Sequence, residues 1–130
     1  MTKLTHVNPP GTETTYEKFK FSQAVVAGDR VEVAGTVGIR EDFSIADDVG
    51  EQARQAFANL KRTLEASDSD LAHVLHLTQY LTNIRDARAV DIVFSEFFPS
   101  HYPARTVVQV AALIRPEFKI EIQASAVTTG

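Results

Sequence analysis

The chain has 130 residues, 44% of them apolar and 23% charged, which suits a single domain, residues 1–130, with a core of its own. It contains no cysteine, which excludes disulfides and thiolate chemistry, and its net charge of −4 with scattered basic residues argues against a nucleic-acid partner. The N-terminal stretch MTKLTHVNPPG has no apolar run and no segment approaches the ~20 apolar residues that cross a bilayer, so we expect a cytoplasmic protein without a membrane partner.

The first third of the chain predicts strands. Residues 1–20 are polar and contain two prolines, which indicates a short opening strand followed by a loop. Residues 24–27 and 30–36 have strand composition, and Gly28 with Asp29 supplies the turn between them. This part of the sequence therefore predicts a β-hairpin.

Two helices are predicted further along, with a strand between them. Asp48, followed three residues later by Glu51, resembles a capping box and predicts a helix start. The apolar residues that follow have helical spacing: Val49, Ala53, Ala56, Phe57, Leu60 and Leu64. The segment LAHVLHLTQYLT is apolar on both faces and predicts a strand in the middle of a sheet, and Asp86 is expected to cap a second helix that runs to Phe98.

Two more strands, within residues 105–111 and 118–127, complete the predicted order. The fold class is therefore α+β, with one mostly antiparallel or mixed sheet and both helices on one face.

An arginine and a glutamate stand out in these last two strands. Side chains alternate across a strand, and the even-numbered residues Thr106, Val108 and Val110 suit the helix side. Arg105 and Glu121 are then expected to share the opposite face, which is half apolar and has no helix left to cover it. Such a face predicts an oligomer interface.

Two interpretations of this pair stay open on the pattern alone. Ionised groups in an interface need partners, so Arg105 and Glu121 can be structural salt-bridge residues. Alternatively, they belong to a pocket where Arg105 binds a substrate carboxylate through two parallel hydrogen bonds and Glu121 holds or activates a water.

Four stretches carry a resemblance to a known family: FSQAVVAGDRVEVAG, EQARQAFANLKRTLEAS, YLTNIRDARAVDIVFSEFFPSHYPARTVVQVAAL and KIEIQASAV. Together they span residues 21–127, and the chain resembles the Rid family of reactive intermediate deaminases, the YjgF type also called endoribonuclease L-PSP. The resemblance implies a chorismate-mutase-like α+β fold. It also implies a homotrimer with the sheets around a central barrel, and ligand sites in the clefts between subunits.

The activity implied by the resemblance is hydrolysis of enamines and imines, such as 2-aminoacrylate and 2-imino acids, to 2-oxo acids and ammonia. The family arginine that grips the substrate carboxylate corresponds to Arg105, and the family glutamate assigned to the water corresponds to Glu121. No cofactor is expected, because an imine carbon is already electrophilic and needs only orientation and a water. No metal is expected, because His73 and His76 are three positions apart on a predicted strand and so face opposite sides.

Four substrate-binding positions depart from the family pattern. Phe21 stands where the family has a tyrosine, Ala34 where it has a serine, and Asp91 where it has an asparagine. Val107 replaces a frequent cysteine, so its backbone N–H is the expected donor. These differences imply a retuned pocket for a larger or more apolar imino acid, and an Asp91 close to Arg105 would weaken anion binding.

Two other functions are alternatives to the deaminase. The lost hydroxyls suit a non-catalytic trimeric binding or chaperone-like protein for small carboxylic-acid metabolites. The ribonuclease activity in an old family label is disfavoured by the acidic balance and by the absence of a paired catalytic histidine constellation.

Overall fold

The computed structural model describes residues 2–130, and within them the chain forms one six-stranded sheet and three helices. The strands are β1 (Leu4–Val7), β2 (Ala24–Ala27), β3 (Arg30–Val37), β4 (Val74–Leu81), β5 (Ala104–Gln109) and β6 (Ile120–Val127); the helices are α1 (Glu13–Phe19), α2 (Val49–Ala66) and α3 (Ala87–Phe97). The sheet order is β1-β2-β3-β6-β4-β5. Only the β4–β5 pair is parallel in this sheet, so the predicted α+β architecture with a mixed sheet is confirmed.

The predicted loop after β1 is wrong over seven residues, because α1 forms there. None of the α1 side chains is buried, so this helix leaves no apolar stripe for a pattern search to detect. It ends at Lys20, a non-glycine residue with a left-handed φ of 62°, which is also an unusual stop signal.

The long helix α2 begins where the sequence predicts. The Asp48 side chain accepts a hydrogen bond from the Glu51 N–H at 3.0 Å, which caps the first turn. The apolar face of α2 is fully buried against the sheet at Ala53, Ala56, Phe57, Leu60 and Leu64. Gln52 is also fully buried, and its amide donates to the carbonyl oxygens of Ala46 and Glu117 while accepting the N–H of Lys119. This side chain fastens α2 to the segment that leads into β6.

The second predicted helix, α3, is confirmed, but its predicted cap is not. Asp86 precedes α3 and makes no capping hydrogen bond with its side chain. Asn83 instead caps a short 3₁₀ turn ahead of the helix, accepting from the Arg85 N–H at 3.0 Å. α3 therefore begins directly after a 3₁₀ turn, which provides acceptors for backbone N–H groups at the start of the helical segment.

Helices α2 and α3 form one helical layer, and the core lies between this layer and one face of the sheet. In β6 the even-numbered residues Ile120, Ile122, Ala124 and Ala126 are buried under the helices, as the alternation predicts. Phe57 of α2 stacks on Phe97 at 5.5 Å between ring centroids, which joins the two long helices.

The opposite face of the sheet, the open face, is covered by neither of the two long helices, α2 and α3. Leu4 and Val108 lie on that face and are exposed. Among the described helices, none has both the length and the apolar content needed to cross a bilayer.

Candidate functional site

The candidate site is built around Arg105, at the start of the edge strand β5, which three side chains contact. Its Nε donates to Oε1 of Gln79 at 2.8 Å, and its Nη2 donates to Oδ1 of Asp91 at 2.5 Å. The guanidinium carbon lies 3.6 Å from the centroid of the Phe94 ring. Three different elements, β4, α3 and β5, therefore fix one cation in a single orientation.

The energetics of this arrangement explain why a cation is tolerated against the core. Only 26% of the Arg105 side chain is exposed, so water hydrates it poorly. The π face of Phe94 and the carboxylate of Asp91 offset that loss. Gln79, 1% exposed, supplies the remaining acceptor but leaves its own Nε2 without a partner in the described structure.

The predicted sharing of one sheet face by Arg105 and Glu121 is wrong. Arg105 is in register with Leu77, which is buried under the helices, whereas Glu121 is in register with Tyr80 on the open face. Residues in register project to the same side of a sheet, so the two groups project to opposite sides. They also stand two strands apart, about 10 Å at the usual strand spacing.

The reason for this error is the position of β5. Thr106 and Val108 look like core residues, but they face the open side of the sheet and are exposed. At an edge strand the helical layer reaches only part of the helix-side face. That part is occupied by Arg105, whose guanidinium lies over the Phe94 ring, rather than by an apolar residue.

Val107 lies two residues along β5 from Arg105 and on the same side. The N–H of Val110 donates to the Leu81 carbonyl oxygen at 2.8 Å, toward β4. Backbone groups of successive residues in a strand point in opposite directions, so the N–H of Val107 points outward from the free edge of the sheet. The backbone N–H of Val107 therefore points to a position where a ligand beside Arg105 could accept its hydrogen bond.

Glu121 lies on the open face above a β-bulge in β3. The bulge falls between Val33 and Thr36, and Gly35 within it lies directly under the Glu121 carboxylate. A Cβ atom at Gly35 would come within 2.9 Å of the carboxyl carbon, so the missing side chain makes room for the acid. Ala34, its neighbour, donates its N–H to the Gln23 carbonyl oxygen at 2.9 Å.

The Glu121 carboxylate has no hydrogen-bond donor among the described residues. Partial burial raises the pKa of this carboxyl above the ordinary 4.5, because the ionised form loses hydration. A carboxylate that is desolvated and unpaired is a stronger base than an exposed one, and it is free to hold a water.

Phe21 lines a separate groove of about 500 Å³ beside α1. Tyr16 lines the same groove, so a phenol is present close to the position where the family tyrosine is missing. Ser22 also lines it, within 3.2 Å of Nδ1 of His6. Neither this groove nor a second open concavity, at the end of α3, includes Arg105 or Glu121.

The structure thus divides the predicted residues among three places rather than one pocket, and the groove that Phe21 lines is one of them. Arg105, Val107 and Asp91 meet at the free edge of β5, and Ala34 lies with Glu121 on the other side of the sheet. Sequence reasoning missed Gln79, Phe94 and Gly35. The one available signal was Gln79, a polar residue at an inward position of a strand that is otherwise apolar there.

The chain is similar to proteins of known sequence and structure over most of its length. Residues 13–128 match the family model described as Endoribonuclease L-PSP. A protein of Dermatophagoides farinae named 2-iminobutanoate/2-iminopropanoate deaminase is 34% identical over 79% of this chain and 81% of its own.

Two solved structures are also similar. One is a Mycobacterium tuberculosis member of the YjgF/YER057c/UK114 family, with a TM-score of 0.84, 30% identity and coverage of 97% of this chain and 100% of that one. The other is E. coli TdcF with bound serine, with a TM-score of 0.79, 31% identity and coverage of 84% of this chain and 88% of that one.

Proposed function

The chain belongs to the endoribonuclease L-PSP family, the Rid or YjgF type, and on that premise we propose that it is a deaminase of small 2-imino acids. The reaction is hydrolytic and needs no cofactor: a protonated 2-imino acid and water give a 2-oxo acid and ammonium. Relatives that carry the deaminase name support the reaction class, and the bound serine of E. coli TdcF supports a ligand with a carboxylate and a nitrogen.

The observation that carries the proposal is the fixed orientation of Arg105. Its guanidinium is held on one side by protein groups and keeps Nη1 free of hydrogen bonds within residues 2–130. Arginine binds carboxylates through two parallel N–H groups, and a cation that is already oriented loses little entropy when it binds one. Arg105, with the outward N–H of Val107, is thus suited to anchor the substrate carboxylate.

Glu121 is suited to the water. As the carboxylate takes a proton from water, the oxygen bonds to the imine carbon and the C=N double bond becomes the single bond of a carbinolamine. The carboxyl then gives this proton to the nitrogen, and the C–N bond breaks as ammonia leaves. The hydroxyl oxygen becomes the carbonyl of the 2-oxo acid as its proton passes to the Glu121 carboxylate and from there to ammonia, which gives ammonium. No electron donor or acceptor is required.

Because Arg105 and Glu121 project from opposite faces of one sheet, they cannot meet one small substrate within a protomer. The proposed site is therefore composite, with the arginine from one protomer and the glutamate from its neighbour in a homotrimer. The uncovered sheet face and its exposed apolar residues support such an assembly. In a closed ring with head-to-tail contacts, each interface would present one such pair.

The first test is catalysis by single variants. Ammonia and 2-oxo acid release are measured with imino acids generated in the cuvette, for the wild type, Arg105→Ala and Glu121→Gln. Both substitutions are expected to lower the rate at least about a hundredfold. Equal rates for wild type and Arg105→Ala would reject the arginine's role.

The second test addresses the composite site. When Arg105→Ala and Glu121→Gln protomers are co-expressed, mixed trimers contain interfaces with both wild-type residues, and about a quarter of the wild-type activity should return. If both residues served one protomer's own site, the mixture would stay inactive.

One observation favours a second candidate, a binding protein without turnover. The ion pair between Arg105 and Asp91 leaves the anchor with no net charge, which suits weak and reversible binding of a metabolite. Thermal stabilisation by 2-oxo acids that Arg105→Ala loses, together with no hydrolysis of any imino acid, would identify this function instead.

A further inference from the structure

The hydrogen bonds of Arg105 leave only one edge of its guanidinium for a guest. A guanidinium has five N–H donors. Nε and one N–H of Nη2 are used by Gln79 and Asp91. The Nε–Nη2 edge is therefore filled by protein groups, and a guest carboxylate must bind end-on, across Nη1 and the second N–H of Nη2.

Asp91 stands beside that remaining edge. It projects from α3, 59% of its side chain is exposed, and only its Oδ1 is engaged, by Nη2 of Arg105. Oδ2 accepts no hydrogen bond from any other group in the described structure. A guest on the open edge of Arg105 thus binds next to a second, negative, partly unsatisfied group.

From this juxtaposition we infer that Asp91 makes the Arg105 site selective for carboxylates that carry a protonated nitrogen on the adjacent carbon. The inference rests on the proposed role of Arg105 as the carboxylate anchor. A plain carboxylate gains the attraction of Arg105 but is repelled by Asp91. A 2-imino or 2-amino acid brings its positive nitrogen one carbon away from its carboxylate, within reach of the free oxygen of Asp91.

This selectivity would serve turnover. The 2-oxo acid product has the same carboxylate as the substrate but a neutral carbonyl in place of the positive nitrogen. Once ammonia has left, Asp91 loses its partner, and its charge opposes the product's carboxylate. The pair then binds the substrate more tightly than the product, which limits product inhibition.

The test compares two stable ligands with the same carbon skeleton, 2-aminobutanoate and 2-oxobutanoate, by isothermal titration calorimetry. Wild type should prefer the amino acid by about tenfold or more, the usual weight of a charge-assisted hydrogen bond. Asp91→Asn should lose that preference, with tighter binding of the oxo acid and weaker binding of the amino acid. Asp68→Asn is the matched control, since Asp68 is exposed and makes no side-chain hydrogen bond in the described residues, and it should bind as wild type does.

The ratio of the two dissociation constants is the deciding quantity. If Asp91 acts only by holding Arg105 in place, Asp91→Asn will shift both affinities together and leave the ratio unchanged, which overturns the inference. Equal affinities in wild type, or no binding of either ligand, also overturn it. Loss of both ligands in Arg105→Ala supports the anchor, whereas unchanged binding there removes the basis of the inference. Imine turnover by wild type is assayed separately, so a binding preference without turnover would refute the proposed reaction and leave the selectivity standing.

Discussion

Replacement of Gly35 by alanine separates the position of the Glu121 carboxylate from its chemistry. The new Cβ would lie 2.9 Å from the carboxyl carbon, whereas ordinary contact begins at 3.4 Å, so the carboxyl carbon must withdraw by about 0.5 Å. The nearer oxygen, Oε2, must move further. A displacement of ~1 Å in a reacting group costs about a hundredfold in rate, so we expect kcat/KM to fall roughly tenfold to a hundredfold.

The same substitution should hardly change stability. Inside a strand, alanine stabilises the fold by about 0.5–1 kcal/mol relative to glycine. A Glu121 side chain pushed off its preferred rotamer loses a similar amount. The free energy of unfolding, measured in urea, should therefore stay within about 1 kcal/mol of wild type.

Two controls accompany this variant. Gly50→Ala, in the first turn of α2, should leave the rate of imine hydrolysis unchanged. In a Glu121→Gln background, Gly35→Ala should not lower kcat/KM further, because the carboxylate that the new methyl group would displace is already absent. A folded Gly35→Ala protein with wild-type kcat/KM would refute the reasoning that the Glu121 carboxylate must stay where the bulge holds it.

Three further predictions concern single side chains. Burial raises the folded-state pKa of the Glu121 carboxyl above 4.5, so its ionisation destabilises the fold fully above the raised folded-state pKa and not at all below pH 4.5. Glu121→Gln should therefore raise Tm near neutral pH and leave Tm unchanged below pH 4.5. An equal gain in Tm at both pH values would contradict the burial argument. Gln52→Leu leaves three part-buried backbone groups without their partner and should lower the free energy of unfolding by about 3 kcal/mol in urea titrations. A loss under 1 kcal/mol would show that water replaces the amide. Gln79→Met removes the acceptor that fixes Nε of Arg105, and it also removes a buried donor that has no partner. KM should therefore rise about tenfold, while the free energy of unfolding stays within about 1 kcal/mol of wild type. An unchanged KM would show that Asp91 and Phe94 orient the arginine without Gln79.

Local patterns in the sequence were sufficient for most of the fold. The β2–β3 hairpin follows from a two-residue turn, and α2 follows from the Asp48 cap and an apolar stripe, all of which act within a few residues. The same patterns could not reveal α1, because its seven residues bury no side chain and end without a glycine.

The sheet face on which the Arg105 side chain lies could not be predicted from the residues near it in sequence. It depends on the register of the parallel β4–β5 pair, which is set by how α3 crosses from one strand to the other. A shift of one residue in that register exchanges the two faces of β5. The alternation of Thr106 and Val108 indicated the wrong face because an edge strand is only partly covered.

The sequence by itself determined which residue types the protein has for chemistry: one arginine and one glutamate in neighbouring segments, with an aspartate where the resembling family has an asparagine. Only the tertiary structure decided their relations. It brought Asp91 and Gln79, 14 and 26 residues away in sequence, onto the same edge of Arg105, and it put Glu121 on the far side of the sheet. The physical reason is that contacts between distant segments depend on how helices and strands pack together, whereas caps, turns and periodicity act along a few residues of one segment.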